Sequence, residues 1–207
     1  MPRKYLSYSA WILWKSNRQA FRDQYYKGEF KKFSSPETDF GTKIANMLEA
    51  NDPEVDFIPR YSFSEFKVEV PFEETLLHGR IDSFCPETFS FMDHKTGRVA
   101  WTEKKVYKLK QLVFYSLLCQ MFCGKVNDTA KLVWVETSLT DEPLMYKGRI
   151  LSRKKEVRMT GKVEVFERIV TQEERDEMKE QLKRDIRDIK EDYIQWITSV
   201  DNCIHID

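Results

Sequence analysis

Residues 76–97 read LLHGRIDSFCPETFSFMDHKTG. Leu76 to Phe84 reads as a strand, Cys85-Pro86-Glu87-Thr88 carries turn chemistry, and Phe89 to Lys95 forms the next strand, stopped by Thr96-Gly97. A hairpin centred between Pro86 and Glu87 sets Asp82 opposite Phe91. Alternation then places Asp82, Phe91, Asp93 and Lys95 on one face. Asp82 and Asp93 become diagonal neighbours, roughly 7–8 Å apart between backbones. A three-residue loop would flip the parity and separate them.

Outward from this hairpin the chain alternates helical and extended signals. Ser7 or Ser9 can cap a helix through Trp11, Leu13, Trp14, Ala20 and Phe21 towards Tyr26. A second helix begins near Asp39 with Ile44, Met47 and Leu48 on one face. From Tyr61 to Phe72, Phe66, Val68, Val70 and Phe72 alternate with Glu65, Lys67, Glu69 and Pro71, a half-buried strand. After the hairpin come a helix over about Lys105 to Gly124, a short buried strand Lys131 to Glu136, and strand material over 145–170 with Arg153-Lys154-Lys155 at its expected tip. Thr171 opens the last helix in a capping box with Glu174, and Met178, Leu182, Ile186, Ile189 and Tyr193 form its apolar stripe. The order predicts an α/β (α+β) fold, a mixed sheet with helices against it and a long C-terminal helix. We expect one domain over 1–207: a helical part to residue 60, a sheet core over 61–170 and the helix over 171–199.

The chain has 207 residues, 41% of them apolar and 14% aromatic, enough for a packed core and too apolar for a disordered chain. No uncharged apolar run approaches a membrane span and no secretory signal is visible, so a cytoplasmic protein is expected. The four cysteines, Cys85, Cys119, Cys123 and Cys203, then read as reduced thiols. Net charge is zero, but residues 1–35 carry +6, residues 36–93 carry −9 and residues 143–168 carry +5. An acidic middle between basic segments suits a metal site in an anion-binding groove, and ordinary solvated surfaces produce the same pattern.

Two neighbouring carboxylates repel unless a cation lies between them, and an oxygen-only site suits Mg²⁺ or Mn²⁺. Such an ion binds a phosphodiester oxygen and acidifies a bound water. The Lys95 ammonium beside it can stabilise charge developing on phosphorus or orient that water. The backbone carbonyl of His94, between Asp93 and Lys95, is a further hard ligand.

Gly79-Arg80-Ile81-Asp82, Asp93-x-Lys95-Thr96-Gly97 and Gln111-x-x-x-Tyr115 together resemble the PD-(D/E)xK nuclease superfamily, most closely its RecB-like branch, which includes lambda-exonuclease-like enzymes. Over residues 5–170, the resemblance implies a restriction-endonuclease-like fold. It implies Asp82, Asp93 and the His94 carbonyl as metal ligands and Lys95 as the catalytic lysine. Gln111 and Tyr115, one helical turn apart, would line the site and touch DNA or steady Lys95. Glu65 or Glu69 would add a carboxylate. The implied activity is a Mg²⁺- or Mn²⁺-dependent deoxyribonuclease, an exonuclease acting on duplex or single-stranded DNA ends in recombination, repair or phage replication. A recombination or repair partner protein, or a homo-oligomer, is compatible with it.

Two departures from the family pattern stand out. Branch members often carry a metal-binding His in a Gly-x-x-x-His setting, and here Gly41-Thr42-Lys43-Ile44 is followed by Ala45. That keeps a second reading open, a DNA-binding accessory module of the same fold with weak or no cleavage. Some relatives hold an iron–sulfur cluster, but Ser16-Asn17 stands where an early Cys would fall and only Cys203 lies late, so no cluster is expected. Elsewhere, Cys119 and Cys123 read as buried thiols, and His78, His94 and His205 as non-ligands with His94 pointing away from the site. Tyr5, Tyr8, Trp11 and Trp14 read as core rather than a base-stacking platform.

Overall fold

In the computed structural model, described for residues 4–30, 34–146 and 149–204, a six-stranded mixed sheet is flanked by helices on both faces. Strand β1 (Tyr5–Ser7) leads into helices α1 (Tyr8–Ser16), α2 (Arg18–Tyr25) and α3 (Pro36–Glu49). Strands β2 (Phe63–Phe72), β3 (Thr75–Cys85) and β4 (Ser90–Gly97) follow, then α4 (Glu103–Tyr107) and α5 (Lys110–Cys123). Strands β5 (Thr129–Tyr146) and β6 (Arg149–Ile169) precede the final helix α6 (Gln172–Ile204).

The hairpin register decides the geometry. Phe84 pairs with Phe91 and Cys85 with Ser90, so the loop has four residues, Pro86 to Phe89, and Asp82 does not stand opposite Phe91. The slip is by two residues, and parity survives. A left-handed Phe89 (φ 54°) closes this longer turn. The ladder between β3 and β4 covers only Ser83–Cys85, after which β4 leaves β3 and runs parallel to β5 from Phe91 to Gly97.

Strand β1, absent from the sequence reading, takes the vacated edge further down: Tyr5, Leu6 and Ser7 run parallel to Leu76, Leu77 and His78. One edge of β3 is therefore covered by β2 throughout, while the other is shared by β1 and β4. Between them lie Gly79 to Asp82, unpaired on that edge. The sheet opens at this gap.

Both faces are packed. Trp11, Trp14, Phe114 and the α6 stripe Met178, Leu182, Ile186 and Ile189 share one core with β2, β3 and β5. On the opposite face, Ile44 and Leu48 of α3, with Val55 and Ile58, cover Met92, Val133 and Val135. The N-terminal helix breaks at Asn17, whose side chain caps α2 at Ala20 N. The Lys105–Gly124 helix breaks likewise into α4 and α5. In the α6 capping box, Glu174 N–H donates to Thr171 Oγ1 (3.2 Å) and Thr171 N–H to Glu174 Oε2 (3.0 Å).

The β5–β6 hairpin is longer than the sequence suggested: the pairing continues past Arg153-Lys154-Lys155 to Tyr146 and Arg149, so those three residues lie within the ladder and not at its tip. The side chains of Arg149, Arg153 and Lys154 lie outside the described residues, as do Cys203 and His205. Arg158 pairs with Glu156 on the surface. Of the remaining cysteines, Cys119 is buried, Cys85 and Cys123 are partly exposed, and all three are free thiols. Among the described residues no helix is long and apolar enough to cross a membrane.

Candidate active site

The gap in β3 brings together Glu65, Arg80, Asp82 and Lys95, which line a cleft of about 460 Å³ beneath α3. Asp82 stands one step beyond the β3–β4 ladder, and its Oδ2 accepts the backbone N–H of His94 (2.7 Å). The carboxylate replaces a ladder carbonyl and bolts the diverging β4 to β3. Asp93 is fully buried, with Oδ1 3.1 Å and Oδ2 2.8 Å from Lys95 Nζ. Lys95 keeps 30% of its side chain exposed, so its ammonium reaches the cleft while Asp93 holds it from below.

Burial pushes Asp93 up to about 6, with Asp82 adding and Lys95 opposing. Burial also raises Asp82, against the lowering effect of the His94 N–H. In both, burial disfavours the charged form by more than the neighbouring ammonium and N–H favour it. The Glu65 carboxylate is raised by burial too, with Arg80 opposing. Its backbone is left-handed (φ 52°), a conformation that costs a non-glycine residue about 1–3 kcal/mol. Ser64 pairs with Ser83 and Phe66 with Ile81 on either side, so Glu65 stands opposite Asp82. Glu69, by contrast, is 55% exposed and bonded to His78, away from this cleft.

His94 does turn from the carboxylates: its Nε2–H donates to the Pro59 carbonyl (2.8 Å), and burial lowers its pKa. Gln111 and Tyr115 meet each other, Gln111 Nε2 donating to Tyr115 Oη (3.0 Å). Burial and then Asp93 raise the Tyr115 phenol, which stays protonated. These two residues line a second, adjoining cleft, and Arg80 lines both.

A family model described as the PD-(D/E)XK nuclease superfamily matches residues 17–205. The chain belongs to this superfamily. Its fold agrees: a candidate exonuclease of Eubacterium rectale superposes with a TM-score of 0.51 at 11% identity, covering 89% of this chain and 80% of that one. SSO0001 aligns at 0.45 and 13% identity over 94% of this chain and 77% of its own. No curated protein matches the sequence.

Nucleases of this superfamily generally use divalent metal ions, and the donors present suit one. Asp93 Oδ2 and Glu65 Oε2 are buried carboxylate oxygens that meet the Lys95 ammonium and the Arg80 guanidinium, and Asp82 adds a third carboxylate, a donor set of hard oxygens. Among the described residues no three acidic, His or Cys side chains converge into a ready-made cage. Mg²⁺ needs none, since it binds through one or two carboxylates and completes its shell with water and phosphate oxygens. Ala45 lines the same cleft and offers no ligand.

Sequence reasoning missed Arg80 as the bridge between the clefts and left Glu65 and Glu69 undecided. The β2–β3 register decides between them: a two-residue turn at Glu73-Glu74 pairs Phe72 with Thr75 and carries Glu65 to Asp82.

Proposed function

We propose that the protein is a Mg²⁺- or Mn²⁺-dependent deoxyribonuclease that hydrolyses phosphodiester bonds from DNA ends, in recombination, repair or phage replication. The observation that carries this reading is the pair of buried Asp93 with cleft-facing Lys95, held against Asp82 where β3 and β4 part. Asp82, Asp93 and the His94 carbonyl would hold the cation. Bound there, it would polarise the phosphodiester and acidify a water. Lys95, fixed by Asp93, presents its ammonium to a non-bridging phosphate oxygen or to the attacking water. Tyr115, protonated and oriented by Gln111, supplies a neutral donor beside them.

Ala45 at the cleft favours one competing reading, an accessory module that binds DNA without cutting it. Labelled linear duplex and single-stranded DNA, incubated with Mg²⁺, Mn²⁺ or EDTA, separates the two. Metal-dependent degradation by wild type, lost in Asp93→Ala and Lys95→Ala, is expected, with closed circular DNA left intact. Equal degradation by wild type and variants, or binding with no degradation in either metal, overturns the enzyme.

A further inference from the structure

The adjoining cleft differs in character from the acidic one. It measures about 840 Å³, within the range of about 300–1,000 Å³ typical of ligand sites. It is bounded by β1, the start of α1 and the unpaired stretch of β3. Among the described residues its lining includes no carboxylate side chain, whereas Glu37, Glu65 and Asp82 line its neighbour. Its walls are aromatic: the Tyr5 and His78 rings lie 5.0 Å apart, and Tyr8 and Tyr25 complete them.

The N-terminal aromatic run thus divides. Trp11 and Trp14 are core, while Tyr5 keeps 38% of its surface exposed at the cleft. Burial and Asp93 raise the Tyr8 phenol, so that ring stays neutral. Arg80 stands at the passage between the two clefts, its Nε paired with Glu65.

We propose that this second cleft is a subsite for the unpaired nucleotides of a single-stranded DNA end, stacked on the Tyr5–His78 wall and held by Arg80 at a phosphate. The inference rests on the nuclease reading and narrows its substrate. A duplex shows only base edges in its grooves. An unpaired base can turn its face on to a side-wall ring, which a base held inside a duplex cannot, and such stacking tolerates any sequence. The continuity through Arg80 sets the stacked nucleotide next to the phosphate at Lys95.

The test is binding of a short single strand with 2-aminopurine as its terminal base, labelled at either end. It is measured with Mg²⁺ in the Asp93→Asn background, so that binding is read without turnover. Quenching of the label by stacking is expected at one end, and not when the same base is paired inside a hairpin. Tyr5→Leu and His78→Leu, which keep bulk and lose the ring, should each weaken binding about 5- to 150-fold, the range of one stacked base. Tyr5→Phe should restore it. Absence of quenching at both ends, or quenching and affinity in both leucine variants undiminished from the protein with Tyr5 and His78 intact, overturns the subsite. Degradation of DNA by wild type without such quenching would leave the nuclease reading standing alone. Quenching without degradation by wild type in either metal would leave only the subsite.

Discussion

The carboxylate of Asp82 accepts the backbone N–H of His94 at 2.7 Å, just where β3 and β4 part. Two strands that diverge need something to fix the angle of their parting, and here it is the same group that would bind a cation. The bond also fixes the backbone between Asp93 and Lys95. Charge and architecture meet in one side chain.

Those two roles separate by substitution. Asp82→Asn keeps an acceptor for the His94 N–H and removes the charge, so thermal stability should stay near wild type. Metal-dependent cleavage should fall at least about a hundredfold, the loss of a group that stabilises transition-state charge. Asp82→Ala strands the N–H as well and should cost an additional ~1–3 kcal/mol in urea unfolding. Equal stability of the two variants would show that the bond does not hold the strands.

Asp93 gives the metal-free protein a pH dependence of defined sign. Its folded value of about 6 exceeds the ordinary 3.8, so the folded state binds the proton more tightly. The stability this confers is complete below about pH 4 and is lost as pH rises through about 6. At 1.36 kcal/mol per unit, the loss approaches about 3 kcal/mol. In EDTA, Asp93→Asn should therefore gain on wild type by up to that amount between pH 4 and pH 7. Denaturant unfolding at four pH values measures it, and a gap that stays constant with pH contradicts the account.

Much of this site is legible in the sequence. Gly79-Arg80-Ile81-Asp82 and Asp93-x-Lys95 announce paired strands because alternation is a local property. The register is not local: a turn over Pro86 to Phe89 instead of a tight one moved every partner by two residues, and only the even slip preserved the parity. Strand β1 left no trace, since three residues beside a helix cap make no periodicity. Glu65 could not be chosen over Glu69 by pattern, because both sit on the same phase of β2. A left-handed backbone at Glu65 sets them apart, and no alternation rule foretells it.

The docking of α6 on α1 hinges on another buried acid. Asp185 accepts Trp11 Nε1–H (2.7 Å), Gln181 Nε2–H (3.0 Å) and the Lys15 ammonium (3.2 Å). Trp11→Phe keeps an aromatic body and removes a donor to a charged group, a change of about 1.5–3 kcal/mol. Asp185→Asn keeps an acceptor for the indole and should cost less than Asp185→Ala. Urea midpoints of the three variants read the order, and a neutral Trp11→Phe would remove Asp185 as the anchor of the helix.

Gly79 explains why this strand carries a glycine next to Arg80. A Cβ built there would lie 2.5 Å from Leu118 Cδ1 and 3.3 Å from Tyr115 Cε1, so α5 packs directly on the β3 backbone. Gly79→Ala must push the end of the Leu118 side chain aside, an overpacking cost of about 1–3 kcal/mol. Leu118→Ala alone empties part of the core and should cost about 2–5 kcal/mol. In the double variant the new methyl occupies space that Leu118 vacated, so the total should fall short of the two single losses combined. Cleavage offers a second readout, because pressure on Tyr115 moves the phenol that Gln111 orients, and the double variant should recover part of the rate lost in Gly79→Ala. Strict additivity of the two substitutions in urea unfolding would mean that helix and strand are not in contact at this glycine.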